Sequence, residues 1–281
     1  MTPFFTAEDV RVAYEARYHF GWYFHRRADL PPDVRATLAT ALRDVAEKQH
    51  YHLLEADCQP CVVRALLSLR PETSPADATR MIKGNLAAVA RKQHGIAELW
   101  SRGWFLRSVG HVTNDTVRNY VDHQYDARNS PGGDPARAAQ ACYASEGDPA
   151  ELRSASHAKY EYNAHFVLVT HRRRELLDLE VAEALVGYMR QVCQTKGWLL
   201  WNLEFVWNHV HLFVGLSPAD APGDVALSLL NNAEYFLQTR YGAMLKDQVE
   251  RTIWQPGYYL GTVGSATTAQ VKAYLGERDG L

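Results

Sequence analysis

The side chains of this sequence that could do chemistry are few. Asn208-His209-Val210-His211-Leu212-Phe213-Val214 sets two imidazoles on either side of a valine. In a strand, residues two apart face the same side, so His209 and His211 point together while Val210 enters the core. Two imidazoles on one face of a rigid strand make half a shell for a divalent ion. Tyr120 and Gln124 are four apart and share one face of a helix, and Tyr274 lies in a second helical segment. A tyrosine hydroxyl, with a pKa near ~10, needs assistance to act as a nucleophile. Cys58-Gln59-Pro60-Cys61 has the spacing of half a zinc site or of a redox pair. Cys142 and Cys193 supply no second such pair, so two cysteines at strand ends are expected instead.

The chain that positions these residues repeats itself. His19-Phe20, followed by His25-Arg26-Arg27, matches His165-Phe166, followed by His171-Arg172-Arg173. The offset, from 19 to 165, is 146 residues. Trp100-Ser-Arg-Gly103-Trp-Phe-Leu-Arg-Ser-Val109-Gly110 matches Trp254-Gln-Pro-Gly257-Tyr-Tyr-Leu-Gly-Thr-Val263-Gly264, and Val117-Arg-Asn-Tyr120 matches Val271-Lys-Ala-Tyr274. Both of these blocks are offset by 154, from 100 to 254 and from 120 to 274. Three blocks in one order indicate a tandem duplication. Between the copies, Ser130-Pro-Gly-Gly-Asp-Pro135 and Gly147-Asp-Pro149 read as a linker. The division is therefore 1–128, a linker over 129–156 with a short alanine-rich helix at Pro135–Ala144, and 157–281.

In the second copy the pattern predicts a strand at His165–Thr170, a helix at Leu179–Gly197 and a strand pair over Leu199–Leu216. A helix at Gly223–Tyr241, a strand at Gly257–Val263 and a helix at Thr267–Arg278 follow. Strands separated by few residues favour an α+β fold with helices packed on a mainly antiparallel sheet. Tyr258 and Tyr259, whose counterparts are Trp104 and Phe105, read as sheet or core aromatics. His19 and His165, present in both copies, read as structural.

The combined pattern resembles the HUH single-tyrosine transposases, the TnpA family of insertion sequences. His209-Val210-His211 carries it, together with Tyr120-Val121-Asp122-His123-Gln124 and the preceding Gly-aromatic-aromatic…Val-Gly segments. It covers both copies. The resemblance implies two ferredoxin/RRM-like domains arranged as an intramolecular pseudo-dimer. It also implies that His209, His211 and Gln124 hold Mg²⁺ or Mn²⁺ while a tyrosine attacks a DNA phosphate. The products are then a 5′-phosphotyrosine and a free 3′-hydroxyl. One phosphodiester replaces another, so rejoining needs no ATP.

The copies are unequally intact. Counting back from Pro218 reaches the two histidines, whereas the same count from Pro71 reaches Val62 and Arg64. The first copy keeps Tyr120 and Gln124; the second keeps Tyr274 but has Arg278 at the glutamine position. A cation there repels a metal. The family resembled forms dimers with shared active sites. Complementary losses therefore favour His209 and His211 working with Tyr120 and Gln124 in trans, with Tyr274 in cis the other candidate. The implied substrate is single-stranded DNA near a hairpin, with further association of two chains open. A non-catalytic DNA-binding protein and a hydrolytic enzyme using the histidines alone are the competing readings.

A formal net charge of −2 creates no global positive field. DNA must then be held by local patches such as His25-Arg26-Arg27 and His171-Arg172-Arg173-Arg174. The N-terminal stretch lacks a secretory pattern, and Trp198–Leu216 is too interrupted by polar residues to span a membrane. Four scattered cysteines suit a reducing compartment. A soluble cytoplasmic protein is expected.

Overall fold

The computed structural model describes residues 4–117, 119, 141–155, 157–175, 178–245 and 251–276. The first copy runs β1 (Arg11–Glu15), β2 (Arg17–Phe24), α1 (Pro32–Lys48), β3 (His52–Gln59), β4 (Val62–Ser68), α2 (Pro75–His94) and β5 (Trp100–Val109). Two short strands follow, β6 (Ala141–Ala144) and β7 (Arg153–Ser154). The second copy runs β8 (Ala158–Glu161), β9 (Asn163–Thr170), α3 (Leu179–Lys196), β10 (Leu199–Val206), β11 (His209–Gly215), α4 (Pro222–Leu245), β12 (Trp254–Val263) and α5 (Thr268–Gly276).

Local signals set the helix ends. Ser74 caps α2 by accepting from the Asp77 N–H, and Asp178 caps α3 by accepting from Val181. Both helices stop at a glycine in the left-handed region, Gly95 (φ 67°) and Gly197 (φ 73°), where a side chain would be strained. Thr267 and Gln270 close a reciprocal capping box at the start of α5.

Each copy contributes four antiparallel strands, in the order β3-β4-β2-β5 and β10-β11-β9-β12. With two intervening helices each, these are β-α-β-β-α-β units of the ferredoxin-like kind. Each sheet is then extended by the other copy. β1 pairs in parallel with β12, and β8 pairs in parallel with β5. β7 adds to β8, while β6 adds to β10 at the far edge of the second sheet.

The exchange is locked by a pseudo-symmetric seam. Ser108 Oγ donates to the Val263 carbonyl and accepts from the Asn163 N–H; Thr262 Oγ1 donates to Val109 and accepts from Arg17. A Cβ on Gly110 would overlap the Thr262 carbonyl oxygen, and one on Gly264 that of Ser108. The repeat keeps both glycines because only a bare backbone can approach so closely. Glu161, fully buried, accepts from Asn114, from the Ser265 N–H and hydroxyl, and pairs with Arg107 at 2.8 Å. One carboxylate thus ties three segments together.

The alanine-rich stretch differs from expectation. Residues 141–144 form strand β6 rather than the end of a helix, and 135–140 lie outside the described residues. Pairing along Asn202–Phe205 of β10 satisfies their backbone, which outweighs alanine's helix preference. The segment read as a linker therefore carries two edge strands. No helix among the described residues is long and apolar enough to cross a membrane.

Candidate active site

Alternation along β11 divides its side chains. Val210, Leu212 and Val214 join the main core beneath α3 and α4, whereas Phe213 joins a separate cluster with Val117, Trp201 and Val263. His209 and His211 share Phe213's face by the period of two. Their ring centroids are 4.8 Å apart at an interplanar angle of 77°. Asn208 Oδ1 lies 2.7 Å from His209 Nδ1. An amide oxygen can only accept, so Nδ1 carries the proton and Nε2 keeps its lone pair. His211 Nδ1 lies 2.9 Å from His165 Nε2, with the two rings stacked at 5.1 Å. If His211 Nδ1–H donates there, its Nε2 keeps a lone pair as well.

Burial holds all three imidazoles neutral. It lowers His165 to about 4; His211 falls to about 3, by burial first and then by His165 and His209. His209 is lowered by burial and then by the Arg173 charge. Neutral imidazoles with fixed tautomers are the form that binds a metal. His165 therefore does more than fill space, as its presence in both copies alone had suggested: it fixes the ring of His211.

Two further residues belong to this face: Glu204, which carries no motif in the sequence, and Arg173, part of the repeated His-Arg-Arg block. Glu204, fully buried on β10, stands directly opposite His211, and residues so paired project to one face. Arg173 follows β9 in the left-handed region (φ 55°), in a 3-10 turn over His171–Arg173. It helps line a cleft of about 460 Å³ with Arg11, Val167, Val169 and Tyr259. Val167 and Val169 pair with His211 and His209, so the cleft adjoins the histidines. Tyr258 is buried in the core, as its counterpart suggested, but Tyr259 is 37% exposed and packs edge-on against His165.

The equivalent face of the first sheet is different. Val62 and Arg64 occupy the histidine positions on β4, and α5 of the second copy reaches this face at Arg64 and Leu66. Val271 and Leu275 pack against Leu66 and Val109. Tyr274 Oη accepts from Arg64 Nη1 at 3.1 Å, and the guanidinium carbon sits 5.5 Å from the ring centroid. Tyr274 thus stands on the first sheet, not beside His209 and His211. Reciprocally, the helical turn at 114–117 of the first copy lies on the second sheet through Val117. Tyr120, Gln124 and Arg278 lie outside the described residues.

The pair of neutral imidazoles on one strand face is of a chemistry that suits a divalent cation, and Glu204 stands on the same face. Among the described residues no group of three or more His, Cys, Asp and Glu side chains is gathered as metal ligands. Gln124, the third expected ligand, is not among those residues. Cys58 and Cys61 flank the β3–β4 turn as free thiols, and burial pushes Cys58 up to about 11, away from the reactive thiolate.

A family model described as IS200-like transposase matches residues 12–124 and again residues 158–278. The ISDra2 transposase TnpA of Deinococcus radiodurans is 24% identical over 127 residues, covering 45% of this chain and 91% of its own. The transposase for insertion sequence element IS200 of Salmonella typhimurium is 24% identical over 123 residues, covering 44% and 80%. A solved structure from Deinococcus radiodurans R1, described as that of a transposase, aligns with a TM-score of 0.39 at 24% identity, over 45% of this chain and 98% of that one. A REP-associated tyrosine transposase bound to a REP hairpin aligns with a TM-score of 0.30 at 16% identity, over 41% and 66%. The family model's two matches span most of the sequence, one in each copy, and the chain belongs to the IS200-like transposase family with the family's domain present twice.

Proposed function

We propose that this chain nicks and rejoins single-stranded DNA at one composite centre, built from His209 and His211 of the second copy and Tyr120 and Gln124 of the first. The reciprocal crossing of the copies carries this reading. α5 lies on the first sheet with Tyr274 against Arg64, and the turn at 114–117, three residues short of Tyr120, lies on the second. This pseudo-symmetry of the described residues supports pairing the histidines of the second copy with the tyrosine segment of the first.

The phenol oxygen of Tyr120 attacks the phosphorus. A tyrosyl–phosphate bond forms to the 5′ side, the bond to the 3′ oxygen breaks, the phenol loses its proton and the 3′ oxygen gains one. His209, His211 and Gln124 would hold Mg²⁺ or Mn²⁺, which would supply Lewis-acid polarisation of the phosphate and charge stabilisation at the departing oxygen. Asn208 and His165 fix the two imidazoles, while Arg173 and Tyr259 in the adjoining cleft suit a phosphate and a stacked base. Hairpin-flanked sites are the substrate class suggested by the hairpin carried by the REP-associated relative.

A DNA-binding protein that no longer cleaves is the alternative, favoured by the loss of the histidines from the first copy. Incubating the chain with a hairpin oligonucleotide and Mn²⁺ separates the two. A covalent protein–DNA band that disappears in Tyr120→Phe and persists in Tyr274→Phe is expected. Persistence in Tyr120→Phe overturns the trans assignment, and no band in the unaltered chain favours the alternative.

A further inference from the structure

The face of the first sheet that lost its histidines has not become inert surface. Arg64 stands at the position equivalent to His211, and α5 roofs it to leave a cleft of about 390 Å³. That volume is within the range of ligand clefts. Arg64, Arg107, His19 and Tyr274 line it, with Tyr23 and Phe105 beside them. The last two also line a second opening of about 480 Å³, which carries Arg27 and Lys159. Position for position, that opening is the counterpart of the cleft lined by Arg173 and Tyr259: Tyr23 corresponds to Val169, Arg27 to Arg173 and Phe105 to Tyr259.

The charges define what can enter. Arg64, Arg107, Arg27 and Lys159 are cationic; Glu161 pairs with Arg107, and Asp57 stands opposite Arg64 on β3. The balance is positive, and His19 adds nothing to it, since burial first and then Arg64 and Arg107 push it down to about 4. A divalent cation would meet the Arg64 guanidinium where the second sheet offers an imidazole lone pair, and would be repelled. An anion is attracted. Guanidinium groups grip phosphate oxygens through several N–H donors, and the phenol and aromatic rings add a hydroxyl and stacking faces.

We propose that this first-sheet cleft is a metal-independent binding site for single-stranded DNA, with Arg64 holding a phosphodiester in place of the lost metal and Tyr23, Phe105 and Tyr274 contacting the adjoining nucleotides. The fused chain then grips one stretch of strand without cutting it while the other face acts. The proposal rests on the reading that single-stranded DNA is the substrate.

Binding of a fluorescent oligothymidylate to the full chain in EDTA tests it, by anisotropy over a range of salt concentrations. Arg64→Ala is expected to weaken binding about tenfold and to reduce the salt slope by about one, with Arg64→Lys recovering most of the slope. Equal concentrations of inorganic phosphate should not compete, and an oligonucleotide carrying 5-iodouracil should photocrosslink to the peptide bearing Phe105 or Tyr274. Unchanged affinity and slope in Arg64→Ala, with normal melting, overturns the site while leaving the nicking reading intact. Displacement by free phosphate shows an anion site without DNA and also overturns it. A covalent adduct at Tyr274 in EDTA overturns the claim that this face only holds. If the unaltered chain binds no single-stranded DNA with or without Mn²⁺, the nicking reading falls and takes this proposal with it.

Discussion

The open faces of the two sheets are related by the repeat, and the difference that bears on metal binding lies at two positions. On β11 they carry His209 and His211; on β4 they carry Val62 and Arg64. Much around them is retained. A histidine stands on the neighbouring strand in both (His165, His19), a carboxylate stands opposite on the next (Glu204, Asp57), and a left-handed arginine pair follows in both (Arg172 and Arg173, Arg26 and Arg27). The flanking histidine shows what the pair was worth: His165 bonds His211 at 2.9 Å, whereas His19 faces guanidiniums and no hydrogen-bond partner is described for its buried Nε2. Duplication inside one chain lets one face keep the demanding geometry while the other drifts, provided the shared seam survives.

The sharpest way to break this contrast is to remove the histidines. His209→Ala or His211→Ala is expected to reduce the covalent DNA adduct by about a thousandfold, read by denaturing gel; an adduct near the unaltered level would put the chemistry elsewhere. The next effect concerns the seam. Gly110→Ala and Gly264→Ala each drive a methyl into a carbonyl oxygen of the other copy and should each cost about 3 kcal/mol or more, measured by urea unfolding. A cost at only one glycine would deny the equivalence of the copies. Rebuilding the lost pair sharpens the comparison from the other side. Val62→His with Arg64→His should create a second Mn²⁺ site, about tenfold to a hundredfold weaker than the first, seen as a doubled stoichiometry in calorimetry. No second site would mean that more than two side chains has been lost.

The smallest effect is in pH. Burial holds folded His19 at about 4 against 6.5 in the unfolded chain, so the unfolded chain takes up the proton first. Its contribution to stability is complete above pH 6.5 and is lost as the pH falls towards 4. His19→Phe should flatten that part of the stability curve by about 1–2 kcal/mol, allowing for partial exposure. An equally steep acid loss in the variant would place the titration elsewhere.

Much was legible from residues alone, because the signals were local or were repeated. The i, i+2 spacing of His209 and His211 settled their common face. The duplicated blocks revealed the repeat and with it the absence of the histidine pair from the first copy. Glu204 left no such trace, since a glutamate in a strand acquires meaning only from its neighbour across the sheet, here His211. Alanine content misread residues 141–144 because the hydrogen bonds that make them a strand come from β10, more than fifty residues away.

Sequence by itself therefore determined the periodicities, the repeat and the residues each copy had kept, all of which depend on spacing along the chain. Tertiary structure alone decided that β1 and β8 cross to the opposite sheets, that α5 sets Tyr274 on Arg64, and that His165 steadies His211. Those outcomes depend on contacts between segments from 46 to more than 200 residues apart. No local pattern encodes which of two related surfaces a helix will cover. That choice follows from the seam at Ser108, Gly110, Thr262 and Gly264, where two backbones approach closely enough for only one arrangement to fit.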